Sequence, residues 1–223
     1  MVHIIRAIER PGADALAAIS KFTPATLHEA QGRSGALTAR IKPTYPGMRA
    51  AGPAITARCH PGDNIMLITA ISLAKPGDVL VVAAGDQPEQ GGFGEVLATA
   101  CKAKGIVGLV TDAGTRDGPA VRDLGFNVFC YGLSIKGTVK ETLGSINQPI
   151  VIGGVTIHPG DFVSADDDGV VVVPKANLLE VAKASQARED KEAEVMRKLR
   201  EGGDILELSG MKQVLAAKNA SWG

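Results

Sequence analysis

The residues with the most chemical capacity lie in one stretch, 79–117. It reads as an apolar run, VLVVAA, a glycine-rich loop, GDQPEQGGFG (85–94), a helix-compatible EVLATACKAKG, a second apolar run, IVGLVTDAG, and then Thr115-Arg116-Asp117. Arg116 offers a planar cationic fork that suits a carboxylate or a developing enolate. Asp117 is a hard oxygen ligand of the kind Mg²⁺ or Mn²⁺ takes while keeping several waters. The backbone N–H groups of Gly94, Glu95, Val96 and Leu97 are the unpaired donors of a helix start, ready for an anion. Gly91, Gly92 and Gly94 let that anion come close to the backbone. Plainer readings exist for each part. Glu95 in a first helical turn is favourable with the helix dipole whatever else it does. Arg122-Asp123 repeats the Arg-Asp pair and reads as a solvated helix face.

These parts meet only if the chain positions them. Two buried parallel strands joined by a right-handed helical crossover put both following loops on one sheet edge, where open α/β sheets bind ligands. The rest of the chain supports that frame. Helical spacing is read over 14–22, 26–32 and 64–74, and a strand at ITAR (55–58). Short strands are expected at PIVIGG, VTI, FVSAD and VVVVP. A long charged helix covers Leu178–Arg200, and the tail beyond it carries alternating helical hints before it frays at ASWG. Pro-Gly-Asp occurs at Pro61, Pro76 and Pro159, and is read as turn chemistry, not as an internal repeat.

Composition narrows the class. With 24 Lys+Arg against 24 Asp+Glu in 223 residues, the net charge is zero, so nothing draws in a nucleic-acid backbone over long range. Aromatics are 4% and glycines number 27, so the core is built of Ala, Val, Ile and Leu with many tight turns. That favours a single α/β domain over 1–223. Cys59, Cys101 and Cys130 form no C-x-x-C pair and are read as buried thiols in a reducing compartment. Arg6, Glu9 and Arg10 break any apolar leader, and the most apolar stretch, 65–74, is about half a membrane span. The expectation is a cytoplasmic protein with no membrane and no nucleic-acid partner.

TLHEAQGRSG, HPGDN, GGFGEVLATA, DAGTRD, KGTVKETLGSIN and IHPGDFVSADDDGVVVVP together resemble the 4-hydroxy-4-methyl-2-oxoglutarate / 4-carboxy-4-hydroxy-2-oxoadipate aldolases. These are class II pyruvate aldolases in the superfamily of the regulator of ribonuclease E activity A. The resemblance runs from Ile19 to Leu206. The superfamily's mark is an acidic residue, twenty residues, then Arg-Asp, here Glu95, residues 96–115, and Arg116-Asp117. HEAQGR and GTVKETLGSIN resemble the aldolase branch.

The resemblance implies an α/β fold with a β/β/α swivelling-type core, N-terminal helices and a long C-terminal helix, assembled as a homotrimer or homohexamer. It implies an Mg²⁺ or Mn²⁺ ion held directly by Asp117 and, through water, by Glu192 from a neighbouring subunit, reached by the 178–200 helix. Without the resemblance, Glu192 is one solvated charge among Glu189, Asp190, Lys191 and Glu194. Arg116 contacts the pyruvyl group, the amides of Gly94 to Leu97 take its carboxylate, and Asn64 lines the pocket. The implied activity is retro-aldol cleavage to pyruvate plus pyruvate or oxaloacetate, within protocatechuate and gallate degradation. Decarboxylation of oxaloacetate is a secondary activity, because losing CO₂ from C4 leaves the same enolate. A metal-bound water positioned by Glu192 and Glu95 is the base.

Two departures stand out. Glu95 occupies a place where these aldolases often have Asp, and Ala120 one where many relatives carry an acidic residue. His28 in HEAQ is as consistent with packing as with a distal carboxylate. His158 falls in a turn, which argues against phosphotransfer. Lys136 and Lys140 flank GTV and are candidates for distal carboxylates; no lysine sits at the two strand ends, which argues against a Schiff-base aldolase. The rival of another class is a non-enzymatic, regulator-type binding protein, which needs neither metal nor Arg116.

Overall fold

A computed structural model describes residues 3–221 of the chain, so the last two residues of ASWG lie outside the described region. In chain order the elements are α1 (Ala13–Ile19), α2 (Pro24–Ala30), β1 (Lys42–Pro43), β2 (Ala50–Arg58), α3 (Ile65–Leu73), β3 (Val79–Gly91), α4 (Glu95–Ala103), β4 (Gly108–Thr115), α5 (Gly118–Asp123) and β5 (Asn127–Cys130). They continue with β6 (Gly132–Leu133), β7 (Ser145–Ile146), β8 (Ile150–Ile152), β9 (Val155–Ile157), β10 (Phe162–Asp166), β11 (Gly169–Val173), α6 (Leu178–Arg200), α7 (Ile205–Leu208) and α8 (Met211–Ala217).

The main sheet runs β1-β5-β4-β3-β2-β10-β11, and β8-β9 form a separate hairpin. Strands β2, β3, β4 and β5 are parallel neighbours. They read as continuous apolar runs because both faces are covered. Leu80 and Val82 point to the face packed by α3, α4 and α5. Val79 and Val81 point to the other face, against β8, β9, β10 and β11. This two-residue alternation gives the β/β/α layering, and the swivelling-type α/β expectation is met. A third cluster joins α1 and α2 to the first turns of α6 through Ile19, Leu27, Val173, Leu178 and Val181.

Helix α6 matches its expected bounds, and only Leu178, Val181, Ala182 and Ser185 are buried in it. Its second half carries no buried residue. Two expectations need correction. Strand β2 starts at Ala50, not at Ile55, because the antiparallel partner β10 pairs as far back as Ala50 and accommodates Pro53. The 85–94 segment is not all loop, since β3 continues to Gly91 through two register shifts. Gly85 and Asp86 take left-handed backbone there, with φ of 82° and 58°. The buried Asp112 carboxylate accepts the N–H groups of Ala84 and Asp86 at 2.5 and 3.1 Å, which holds the bulge.

Candidate active site

The loops after β2, β3 and β4 emerge at the same sheet edge, and a cavity of about 360 Å³ opens between them. Asn64 and Ile68 come from the first loop and α3, Gly91, Gly92, Gly94, Val96 and Leu97 from the end of β3, the second loop and α4, and Arg116 and Asp117 from the third. A strap between β6 and β7 closes the opposite side with Gly137, Thr138 and Lys140.

Asp117 is the N-cap of α5 and holds a left-handed backbone (φ 56°, ψ 35°). That conformation disfavours most L-residues, and short polar Asp and Asn are its usual exceptions. The strain turns the Asp117 carboxylate toward the start of α4, where Oδ2 accepts the Glu95 N–H at 3.1 Å. Arg116 Nε lies 3.6 Å from the same oxygen, and both side chains are half exposed. The Arg116 N–H donates to Phe93 O at 2.8 Å, which ties the third loop to the second. Gly94 is the residue this crowding demands. A Cβ there would fall well inside contact distance of Asp117 Oδ2 and only 3.1 Å from its Cγ. Its own backbone is extended, so the constraint is the close approach and not the conformation.

Four amides were expected to be free, and the Glu95 N–H is taken by Asp117. Those of Gly94, Val96 and Leu97 have no acceptor among the described residues. The Glu95 side chain is exposed and lies off the cavity lining. Asn64 is buried, donates Nδ2 to Gly92 O at 2.7 Å, and leaves Oδ1 buried without a partner. An orphaned acceptor at a cavity wall leaves capacity for a donor such as water.

The donor set suits one kind of metal. Among the described residues, Asp117 is the sole carboxylate lining the cavity, and no group of three or more His, Cys, Asp or Glu could hold an ion. A hard cation that keeps most of its waters fits one carboxylate; an ion needing four protein ligands does not.

Glu192 stands apart from this cavity. It is exposed on the second half of α6, where Arg188 Nη2 pairs with it at 2.6 Å. The same guanidinium lies 3.7 Å from Glu29, which also pairs with Arg33 at 3.1 Å. Within one chain, therefore, Glu192 does not join Arg116, Asp117, Asn64 and the α4 amides. The two strap lysines also separate. Lys136 is engaged by Glu89. Lys140 lines the cavity and has no ion pair among the described residues. Arg122 pairs with Asp123 at 2.9 Å and lies 5.0 Å from the Tyr45 ring centroid, outside the cavity lining. His28 donates to or accepts from nothing in the cavity; its Nδ1 lies 2.9 Å from Ser34 O. Burial pushes the Cys59 and Cys101 thiols up to about 12 and raises that of Cys130, so all three stay protonated. No described helix is long and apolar enough to cross a membrane.

Sequence reasoning missed Ile68, Gly137 and Thr138. The GTVK run was a signal for the last two, but which strap residues face inward depends on how the strap is anchored.

The model of the RraA-like family, described as Aldolase/RraA, matches residues 13–172. A protein of Halalkalibacterium halodurans named "Putative 4-hydroxy-4-methyl-2-oxoglutarate aldolase" is 40% identical over 157 residues, covering 69% of this chain and 75% of that protein. Among solved structures, Streptomyces coelicolor RraAS2, titled an unusual member of the RNase ES inhibitor RraA protein family, is 32% identical. It has a TM-score of 0.76 and covers 84% of this chain and 98% of that one. An uncharacterized protein from Pseudomonas syringae is 25% identical with a TM-score of 0.77, covering 91% of this chain and 100% of that one. On the extent of the family match and the 40% identity together, this chain belongs to the RraA-like, Aldolase/RraA family.

Proposed function

We propose that this chain is a divalent-metal-dependent aldolase of 4-hydroxy-2-oxo di- and tricarboxylic acids. The substrates that fit are 4-hydroxy-4-methyl-2-oxoglutarate and 4-carboxy-4-hydroxy-2-oxoadipate, intermediates of aromatic-acid breakdown. The observation that carries the reading is the convergence of one carboxylate, one guanidinium and three helix-start amides on a single cavity, with a lysine across from them, the amides and the lysine having no partner among the described residues. A non-enzymatic binding protein has no need of that arrangement.

Asp117 would hold Mg²⁺ or Mn²⁺, with water filling the other positions, and the ion would supply Lewis-acid polarisation of the 2-oxo group. The amides of Gly94, Val96 and Leu97 receive the pyruvyl carboxylate at the positive end of α4. Arg116 stands beside them to stabilise the charge that develops on the enolate oxygen. Loss of the C4 hydroxyl proton to a water breaks the C3–C4 bond, releases the second oxo acid and leaves the pyruvate enolate, which is then protonated at C3. Glu95, in the first turn of α4, and Glu192, delivered by α6 of a second copy, position that water. The half-buried character of α6 supports the projection, because its second half buries no residue among the described residues of its own chain. The assembly is a homotrimer or homohexamer in this reading. Lys140 takes the distal carboxylate, and the same site decarboxylates oxaloacetate by way of the identical enolate.

The test is pyruvate release from both hydroxy-oxo acids and from oxaloacetate, with and without EDTA. Release abolished by EDTA and restored by Mg²⁺ supports the reading. No pyruvate from any of the three substrates, with metal present, overturns it in favour of a regulator-type binding protein.

A further inference from the structure

The three Pro-Gly-Asp turns share one backbone. In each, Pro sits second and Gly third with a left-handed φ (77°, 88° and 87° at Gly62, Gly77 and Gly160). The Asp N–H returns to the carbonyl three residues back, at His60, Lys75 and His158 (2.9, 3.1 and 3.0 Å). All three carboxylates are buried, with Asp63, Asp78 and Asp161 at 4, 0 and 4% exposure. Their partners differ. Asp78 takes Arg10 in a two-pronged pair, both bonds 2.7 Å. Asp161 accepts the N–H groups of His158 and Lys175, at 2.8 and 3.0 Å. Asp63 has no ion pair among the described residues and is satisfied by backbone alone. Its Oδ1 accepts Ile65 N–H at 2.8 Å, and its Oδ2 accepts Glu141 N–H at 2.6 Å and Thr142 N–H at 2.7 Å.

These bonds join the two walls of the cavity. The neighbour of Asp63, Asn64, lines one wall, and the strap carrying Thr138 and Lys140 forms the other. Val139 reinforces the link, since its N–H donates to Gly62 O at 3.0 Å and its carbonyl accepts Asn64 N–H at 3.2 Å. The far end of the strap is anchored separately. Gly91 N–H donates to Lys136 O at 2.8 Å, and Ser134 Oγ to Glu89 O at 2.5 Å. Gly137 and Thr138 arch between the two anchorages, over the cavity.

We infer that Asp63 is the positioning residue of the cavity: by clamping the 137–142 strap to the Asn64 loop, it fixes the gap that receives the distal half of a 2-oxo dicarboxylic acid. It touches no substrate itself. The inference rests on the 2-oxo acid reading of this cavity. An amide at position 63 keeps one acceptor oxygen and turns an NH₂ toward N–H groups, so it serves one wall and repels the other. Asp161 is the matched control, with the same turn and burial, away from the cavity lining.

The experiment compares wild type, Asp63→Asn and Asp161→Asn with Mg²⁺ present. Calorimetry measures affinity for 2-oxoglutarate, which has the distal carboxylate, and for 2-oxopentanoate, which lacks it. Cleavage is followed in parallel, and both variants are expected to lose thermal stability. In Asp63→Asn, 2-oxoglutarate affinity should fall about tenfold, the order set by losing a hydrogen bond to a charged group, and KM should rise alike with kcat within about threefold. In Asp161→Asn both should stay within about twofold. In wild type, 2-oxoglutarate should slow hydrogen exchange at Glu141 and Thr142 and not at Lys175, a measurement that decides the matter even if Asp63→Asn does not fold. Equal losses in the two variants, or wild-type exchange unmoved by saturating ligand, overturn the inference while leaving the 2-oxo acid reading in place. Failure of wild type to bind either acid overturns that reading and this inference with it.

Discussion

A methyl group at position 94 has nowhere to go. The ideal Cβ of Gly94→Ala would lie 3.1 Å from Asp117 Cγ and 3.0 Å from Arg116 Cγ. Carbon atoms settle at about 3.5–4.0 Å, so the Asp117 carboxylate must withdraw by roughly 0.5–1 Å. Its bond from Glu95 N–H, 3.1 Å long, is the first loss. A hydrogen bond to a charged group is worth about 1.5–3 kcal/mol, and a displacement near 1 Å at a reacting centre costs on the order of 10²-fold in rate. Metal affinity should therefore weaken by about tenfold or more, each tenfold being about 1.4 kcal/mol, and turnover by about 10²-fold. The fold should survive, because φ −155° and ψ −164° are open to alanine. Replacing a glycine helix cap by alanine should cost no more than about 1 kcal/mol, a few degrees in Tm. Gly12→Ala, at the N-cap of α1 and away from the cavity, is the control, since its Cβ would meet nothing within 4 Å. The assays are pyruvate release coupled to NADH oxidation, and Mg²⁺ calorimetry. If Gly94→Ala keeps both within about threefold of wild type, the reasoning about this cradle is wrong.

Asp117→Ala should abolish metal-dependent cleavage with an unchanged circular dichroism spectrum. Arg116→Lys should lower turnover by about 10²-fold or more, because a point charge cannot reproduce the guanidinium fork, while Arg122→Lys stays near wild type; identical behaviour of the two would mean the wrong Arg-Asp pair has been chosen. Mixing inactive Asp117→Ala and Glu192→Gln chains should restore part of the activity, and a mixed oligomer as inactive as its parents would remove Glu192 from a shared site. Lys140→Met should raise KM for the dicarboxylic substrate by about tenfold and Lys136→Met should not, on the scale of one charge-assisted contact; equal effects would refute the assignment. The last prediction concerns acid. Desolvation opposes the Asp63 charge, but the amides of Ile65, Glu141 and Thr142, helped by His60, hold its pKa below the usual carboxylate range. A depressed carboxylate pKa stabilises the fold above the unfolded value and loses that contribution as pH falls through the folded one. Exchange at Glu141 and Thr142, corrected for intrinsic rates, should accelerate as pH drops below about 4; flat exchange until global unfolding would contradict it.

The crevice was legible because its makers are local. Apolar runs at 79–84 and 106–114, with a helix between them, suffice to bring Gly94 and Arg116-Asp117 to one edge, and the charged face of Leu178–Arg200 marks that helix along its full length. What could not be read depends on contacts between distant residues. The β3 extension needs the Asp112 carboxylate beneath Ala84 and Asp86, 28 and 26 residues away. The roles of Lys136 and Lys140 look alike in the sequence until Glu89 claims the first. Pro-Gly-Asp marks a turn from its residue types alone, but its third residue points inward, and nothing local announces that. Glu192 remains a residue whose role comes from resemblance, since among the described residues its ion pair is with Arg188 alone.

The Asp63 clamp also bears on the order in which the molecule assembles. It joins positions 78 and 79 residues apart, whereas β3 and β4 are linked by a single short helix. Closing the longer loop costs more entropy, and it is repaid only once both ends already stand at the sheet edge. The parallel strands can therefore condense first around α3 and α4, leaving the strap to dock onto a finished scaffold. A refolding chain should regain its far-ultraviolet signal before it regains a ligand-binding cavity, and the interval between the two would be the lifetime of a molecule complete in architecture but still without a site.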